Sequence, residues 1–355
     1  PNIIEDLAIT STQAGFALTL MWGLYALFQY PSGRLSDQLS RKTLVVSGMG
    51  FVCLGFFIVS GTVSYPMFLA GAAVVGVGAG LYPTAARALV SDLFVSRRGQ
   101  AFGLHTASGD LGNAFAAGLA VLAITFASWQ AGFLPMVILT GGIVLALHLW
   151  SREPYVFETA SLGVRATGTR LFGNDRLRWF LLTYMLFAFT WQSTTGFLPT
   201  FLQVEKGFSV SLASTGFAVL FLVGMLVKPI SGAIGDRFSR TAVAVGALLL
   251  GLLGLSGLLL VEHPVLIFAG IVIFAAGLMS FPPVMQAYLM DLFPDESMGG
   301  DLGGMRTIYI GFGSLGPTYI GFVGGAESYT VAFAGLVACL LAGAGIVAGY
   351  ELRYR

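Results

Sequence analysis

The chain has 355 residues, of which 56% are hydrophobic and only 10% charged, and its mean hydropathy is +0.84. Soluble domains carry charge on about 25% of residues, so this composition excludes an ordinary globular protein and points to a polytopic membrane protein. The net charge of +1 makes no electrostatic case for nucleic acid, and Cys53 and Cys339, alone in separate apolar runs, form neither a disulfide framework nor a metal or redox motif.

A membrane-spanning helix needs about 20 mainly apolar residues. Eleven such runs follow one another near 13–32, 43–62, 66–91, 100–124, 129–150, 179–201, 211–231, 241–261, 264–290, 302–324 and 329–350. They are too long, and too little alternating, for barrel strands, so the expected fold is all-α. The 48 glycines suit helices that approach closely through small residues. The stretch GVGAG at 76–80 belongs with them rather than with nucleotide loops, because it lies inside an apolar run. Pro31, Pro83, Pro229, Pro282, Pro283 and Pro317 interrupt runs and mark bends.

Basic residues fall on one side of the alternating topology: Arg34, Arg41, Lys42, Arg97, Arg98, Arg152, Arg165, Arg170, Arg176, Arg178, Arg237, Arg240, Arg353 and Arg355. Lys206 sits on the other side with Glu5, Asp6, Glu205, Glu262 and Glu327. The positive-inside rule then places loops 33–42, 92–99, 151–178 and 232–240 and the C-terminus in the cytoplasm of a multi-pass protein of the cell membrane. The longest interruption, 151–178, is polar and basic. It divides an N-terminal helical bundle (1–150) from a C-terminal one (179–355).

The two bundles read as repeats. Gly33, Asp37, Ser40 and Arg41 recur as Gly232, Asp236, Ser239 and Arg240, an offset of 199. The same offset relates GLYPTAARALVSDLF (80–94) to MSFPPVMQAYLMDLF (279–293), matching Asp92 with Asp291. In this register Pro1 corresponds to Pro199, and the run 179–201 lacks a partner, so the intact protein is expected to have twelve spans, the first of them absent here.

These residues carry a resemblance to the major facilitator superfamily over the whole chain. The family's loop pattern G-x-L-[AGS]-D-[RK]-x-G-R-[RK] is matched at Gly33, Leu35, Ser36, Asp37, Arg41 and Lys42, and departs at Gln38 and Ser40; the second copy keeps Gly232, Gly235, Asp236, Arg237 and Arg240. GSLGPTYIGFVGG (313–325) resembles the family's antiporter motif, but lies in the second half, with Asn113 at the equivalent of its proline. The resemblance implies two pseudo-repeated six-helix bundles. It also implies a cytoplasmic gate in which Arg41 pairs with Asp92 and Arg240 with Asp291. The loop glycines are expected to permit a sharp turn, and Asp37 and Asp236 to cap the following helices.

The sharpest candidate for chemistry is Asp110, about 15 Å from the cytoplasmic end of its run, where a carboxylate is costly. Thr106, Asp110 and Asn113 share one helix face, expected to line a cavity; His105, Gly109 and Gly112 share another, expected to pack. Arg87, Lys228 and Arg306 lie about one turn inside the cytoplasmic ends. There they either snorkel, pair with Asp92, Asp291 or Asp301, or turn inward to form a vestibule for an organic anion. Trp191, Gln192 and Thr195 belong to a polar cluster at mid-depth, open between substrate contact and bonds to neighbouring backbone; Tyr82, Tyr288 and Tyr309 read mainly as packing.

His105, His148 and His263 form no metal-site spacing, and neither a phosphate loop nor a nucleophile elbow occurs, so the reading is not an enzyme, with no cofactor and no metal. The expectation is a monomeric secondary transporter in the lipid bilayer, moving a small molecule by rocker-switch alternating access with a proton or another cation as coupling ion. Efflux of an amphipathic compound and uptake of an organic anion both fit. An uncoupled channel-like facilitator and a non-transporting receptor remain the alternatives.

Overall fold

The computed structural model describes residues 2–38, 40–93, 98–156, 163–290, 292–293 and 298–354, and within these no strand occurs. A short α1 (Asn2–Asp6) precedes α2 (Ser11–Gln38), α3 (Arg41–Ser60), α4 (Tyr65–Leu93) and α5 (Arg98–Phe126). A 3₁₀ turn, Gln130–Phe133, leads into α6 (Leu134–Trp150). The polar interruption contains α7 (Val164–Gly173), and then come α8 (Asp175–Val204), α9 (Val210–Arg237), α10 (Arg240–Leu260) and α11 (Pro264–Met290). The tenth apolar run is two helices, α12 (Met298–Gly313) and α13 (Leu315–Ala326), broken at Ser314, and α14 (Tyr329–Tyr354) closes the chain. Among the described residues, eight helices are long and apolar enough to cross a membrane.

Small residues set the helix spacing. A Cβ built on Gly254 or Gly277 collides with the facing backbone of α11 or α10, at Phe274 and Gly251, and Gly270 meets Leu258 at 3.2 Å. In α3 and α4, Gly55 and Gly71 face each other in the same antiparallel way, with Gly48 opposite Gly78. Gly55, Gly71 and Gly78 are displaced by the repeat offset from Gly254, Gly270 and Gly277, so the duplication extends to the packing itself. Gly76 and Gly80 in turn press on the backbone of α2 at Met21 and Tyr25, which makes GVGAG a packing surface.

Two seams join helices before the linker to helices after it: α2 against α12 and α13, and α5 against α9. The first is held along its length. Thr12 donates to the Gly321 carbonyl at 3.4 Å, Thr19 pairs with Thr318 at 2.7 Å, and Thr307 donates to the Ala26 carbonyl at 3.0 Å; beyond α13, Ser11 pairs with Tyr329 of α14 at 2.8 Å. The linker helix α7 sits at its end: Arg170 reaches both oxygens of the buried Asp301 at 2.7–3.0 Å, Thr167 bonds Tyr30 at 3.2 Å, and Leu171 is buried. The bond to Asp301 is the main cause that raises the Arg170 pKa above its usual value.

The repeated polar loops differ from expectation. Gly33 and Gly232 lie inside α2 and α9 rather than at turns, and a Cβ on Gly232 meets nothing within 4 Å. The N-caps of α3 and α10 are Ser40 and Ser239, which accept from the Thr43 and Ala242 amides; Asp236 is thus not the cap of α10, and the Asp37 side chain lies outside the described residues. Serine at these two places satisfies orphan amides that the helix start leaves open. Asp236 instead receives Arg240 at 3.4 Å, one turn away and exposed.

Candidate functional site

Asp110 and Lys228 meet across the α5–α9 seam. Lys228 Nζ donates to both carboxylate oxygens at 2.7 and 2.8 Å, and Asp110 is only 7% exposed. Lys228 lies nine residues before Arg237, the end of its helix, so it is about 14 Å deep rather than one turn in, and its partner is Asp110 rather than Asp92, Asp291 or Asp301. The apolar run suggests a shallower position because it ends before α9 does; the helix continues through the polar Ser231–Arg237 segment.

The rest of that α5 face is less enclosed. Asn113 is exposed, and Cβ atoms built on Gly109 and Gly112 meet nothing within 4 Å, so the expected packing role of the glycine face is not what the described residues show. The side chains of Thr106 and Arg87 lie outside the described residues, as do those of Asp37, Asp92 and Asp291 from the expected gate. Arg41 is partly buried at the start of α3.

The mid-depth cluster on α8 is mostly spent on structure. Gln192, 1% exposed, donates to the Ile310 carbonyl at 3.1 Å, and Thr195 returns its hydroxyl to the Trp191 and Gln192 carbonyls. Trp191 packs edge-on against Phe221 with centroids 5.7 Å apart. Thr195 also lines a cavity of about 400 Å³ between α2, α5, α8 and α9, with Thr200, Gln203 and Ser214 as its polar walls. The Gln192 Oε1 and the Ser193 and Thr194 hydroxyls are buried without partners among the described residues.

Arg306 lies eight residues into α12, about 12 Å from its start, so it neither snorkels nor pairs with Asp301, which is taken by Arg170. Its guanidinium bonds Tyr25 of α2 and is bordered by Tyr184 of α8 and Tyr309 of α12. Tyr184 and Tyr309 stack at 4.7 Å, and Trp22 stands edge-on to Tyr25 at 5.3 Å. The sequence alone reads Tyr309 as packing and does not single out Tyr25 or Tyr184. Helical spacing can place Tyr309 beside Arg306, three residues away, but not the other two rings.

Comparison with known proteins agrees with this architecture. A family model described as Major Facilitator Superfamily matches residues 1–317. A probable sulfoacetate transporter, SauU, of Cupriavidus necator is 26% identical over 74% of this chain and 66% of its own length. A hexuronate transporter of Bacillus subtilis is 24% identical over 78% of the chain and 68% of its own. The chain thus spans about two thirds of the length of these relatives. The solved structure of a single-residue mutant of the nucleoside transporter NupG covers 98% of the chain, and the chain 93% of it, with a TM-score of 0.81 at 15% identity, a likeness of fold. Eleven apolar runs folded as helices, a duplicated loop with duplicated glycine packing, and a family match over most of the sequence lead to one statement: this chain belongs to the Major Facilitator Superfamily.

Proposed function

We propose that this protein is a secondary transporter that moves a small organic anion across the cell membrane, coupled to protons through Asp110. The observation that carries the reading is the Lys228–Asp110 pair spanning the α5–α9 seam, its carboxylate buried and its lysine a quarter exposed. A buried ion pair with a simple packing role would gain little over apolar side chains, because desolvation offsets the attraction. A pair that joins two rigid bodies, however, can be broken by one proton. Protonating Asp110 removes the carboxylate that holds Lys228, and the seam it bridges is then free to part. The bodies that move are the bundles 1–150 and 179–355, joined by 151–178, with the basic loops in the cytoplasm and each protein acting as a monomer. Arg41 with Asp92, and Arg240 with Asp291, are the gate pairs that such a motion would make and break.

An organic anion as cargo is supported by the relatives named for sulfoacetate and hexuronate, and by Arg306, an interior cation with no acidic partner among the described residues. Protein reconstituted into vesicles with an imposed pH gradient tests the reading. Anion uptake should follow the inward proton gradient and lose that dependence in Asp110→Asn. Uptake indifferent to the gradient would reduce the pair to a strut.

A further inference from the structure

Two cations that reach the helical bundle are answered by carboxylates: Lys228 of α9 by Asp110, and Arg170 of the linker helix α7, a third exposed, by Asp301, each carboxylate engaged through both oxygens. Arg306 is different. It makes no ion pair among the described residues, and its Nε is buried with no partner. A guanidinium does not give up its proton in a protein, so this charge persists in the low-dielectric interior. The three tyrosines beside it supply dipoles and ring faces but no negative charge. Tyr184 is partly committed, its hydroxyl donating to the Pro282 carbonyl at 3.4 Å. If packing were the only requirement, an apolar residue would serve this position better.

We propose that Arg306, together with the Tyr25 and Tyr309 hydroxyls, binds the acidic head of a small organic monoanion, a carboxylate or a sulfonate. The inference rests on the transport reading for its biological role, and on the orphaned guanidinium for its chemistry. The planar fork of an arginine matches two oxygens of such a head, and the tyrosine hydroxyls can donate to what remains. The Tyr184–Tyr309 stack and Trp22 give the ligand's body an aromatic wall. A single charge is specified because Lys228, the cation at the other seam, is already neutralised by Asp110, leaving a second acidic group no free cation there. The position also explains how cargo could drive motion: Tyr25 belongs to α2 and Arg306 to α12, so a head held between them contacts both sides of a seam.

The test uses the full chain in detergent, with Trp22 beside Tyr25 as a fluorescent reporter and calorimetry as a second readout. Gluconate and 2-hydroxyethanesulfonate should bind. Neutral glucitol should not, and glucarate, with an acid at each end, should bind at least about tenfold more weakly than gluconate. Arg306→Gln should weaken gluconate by about tenfold or more, Arg306→Lys by less, and Tyr25→Phe by about three- to tenfold. Gluconate binding unchanged in a folded Arg306→Gln protein, or glucarate binding as tightly as gluconate, overturns the proposal. If Arg306→Gln does not fold, Tyr25→Phe decides: unchanged gluconate affinity overturns the proposal and the expected loss supports it. Flux in vesicles separates the two readings. Anion binding that depends on Arg306 without any flux upholds this site and refutes transport, whereas Asp110-dependent flux of a neutral solute with no anion binding does the reverse.

Discussion

Lys228 and Asp110, 118 residues apart in sequence, form a two-pronged ion pair between α9 and α5 at 2.7 and 2.8 Å. Each removes the electrostatic cost of burying the other. Asp110→Asn and Lys228→Met should therefore each destabilise the protein by about 3–5 kcal/mol, and the double variant by clearly less than the sum. Thermal melting in detergent, analysed as a double-mutant cycle, measures the coupling. Additive losses would mean the pair contributes nothing as a pair.

The contact between α10 and α11 depends on the absence of a side chain at two places. Gly277→Ala and Gly254→Ala put a methyl group into facing backbone and should each cost about 1–3 kcal/mol. Gly257→Ala, on α10 but facing open space, should stay within about 0.5 kcal/mol of the parent. Melting temperatures of the three variants give the comparison directly.

Arg170 fastens α7 to α12 through Asp301, and Arg165 on the same short helix is exposed. Arg170→Ala should loosen the helix and speed tryptic cleavage after Arg165 by about tenfold, the effect of roughly 1.4 kcal/mol of lost local stability. Asp301→Asn should do the same. A cleavage rate unchanged by either substitution would show that Leu171 and the Thr167–Tyr30 bond suffice.

Ser239 caps α10, and Asp236 does not. Ser239→Ala should cost about 1 kcal/mol, Ser239→Asp should largely restore it, and Asp236→Ala should leave the helix start unchanged. Chemical denaturation of the three proteins distinguishes these outcomes.

Helix positions are legible in the sequence because spanning segments must satisfy their backbone internally, which forces long apolar runs and clear polar breaks. The break at Ser314 is hidden because GFGSLGPT is apolar enough to continue a run, and α7 because ten mixed residues inside a polar, basic stretch look like a loop until something buries Thr167 and Leu171. The repeat finds the two helix breaks, but most of each expected loop is helix and, in the second copy, the cap is not the aspartate: the serines depart from a glycine pattern, and it is their hydroxyls that do the capping. Asp110 stands out as a buried charge. Lys228 and Arg306 do not, because depth counted from the ends of apolar runs falls short of depth counted from the helix ends. Which carboxylate meets which cation is a long-range matter that no local spacing encodes.

The matched glycines of α3–α4 and α10–α11 bear on how the chain is made. Each pair is an antiparallel hairpin of neighbouring helices whose closest contacts lie within a few dozen residues, so each can form as soon as its second helix leaves the ribosome. The seams that bring Lys228 to Asp110 and Tyr25 to Arg306 require residues more than a hundred positions apart and must assemble last. The surfaces that assemble last in synthesis would then be the same surfaces that part and close in the transport cycle proposed above.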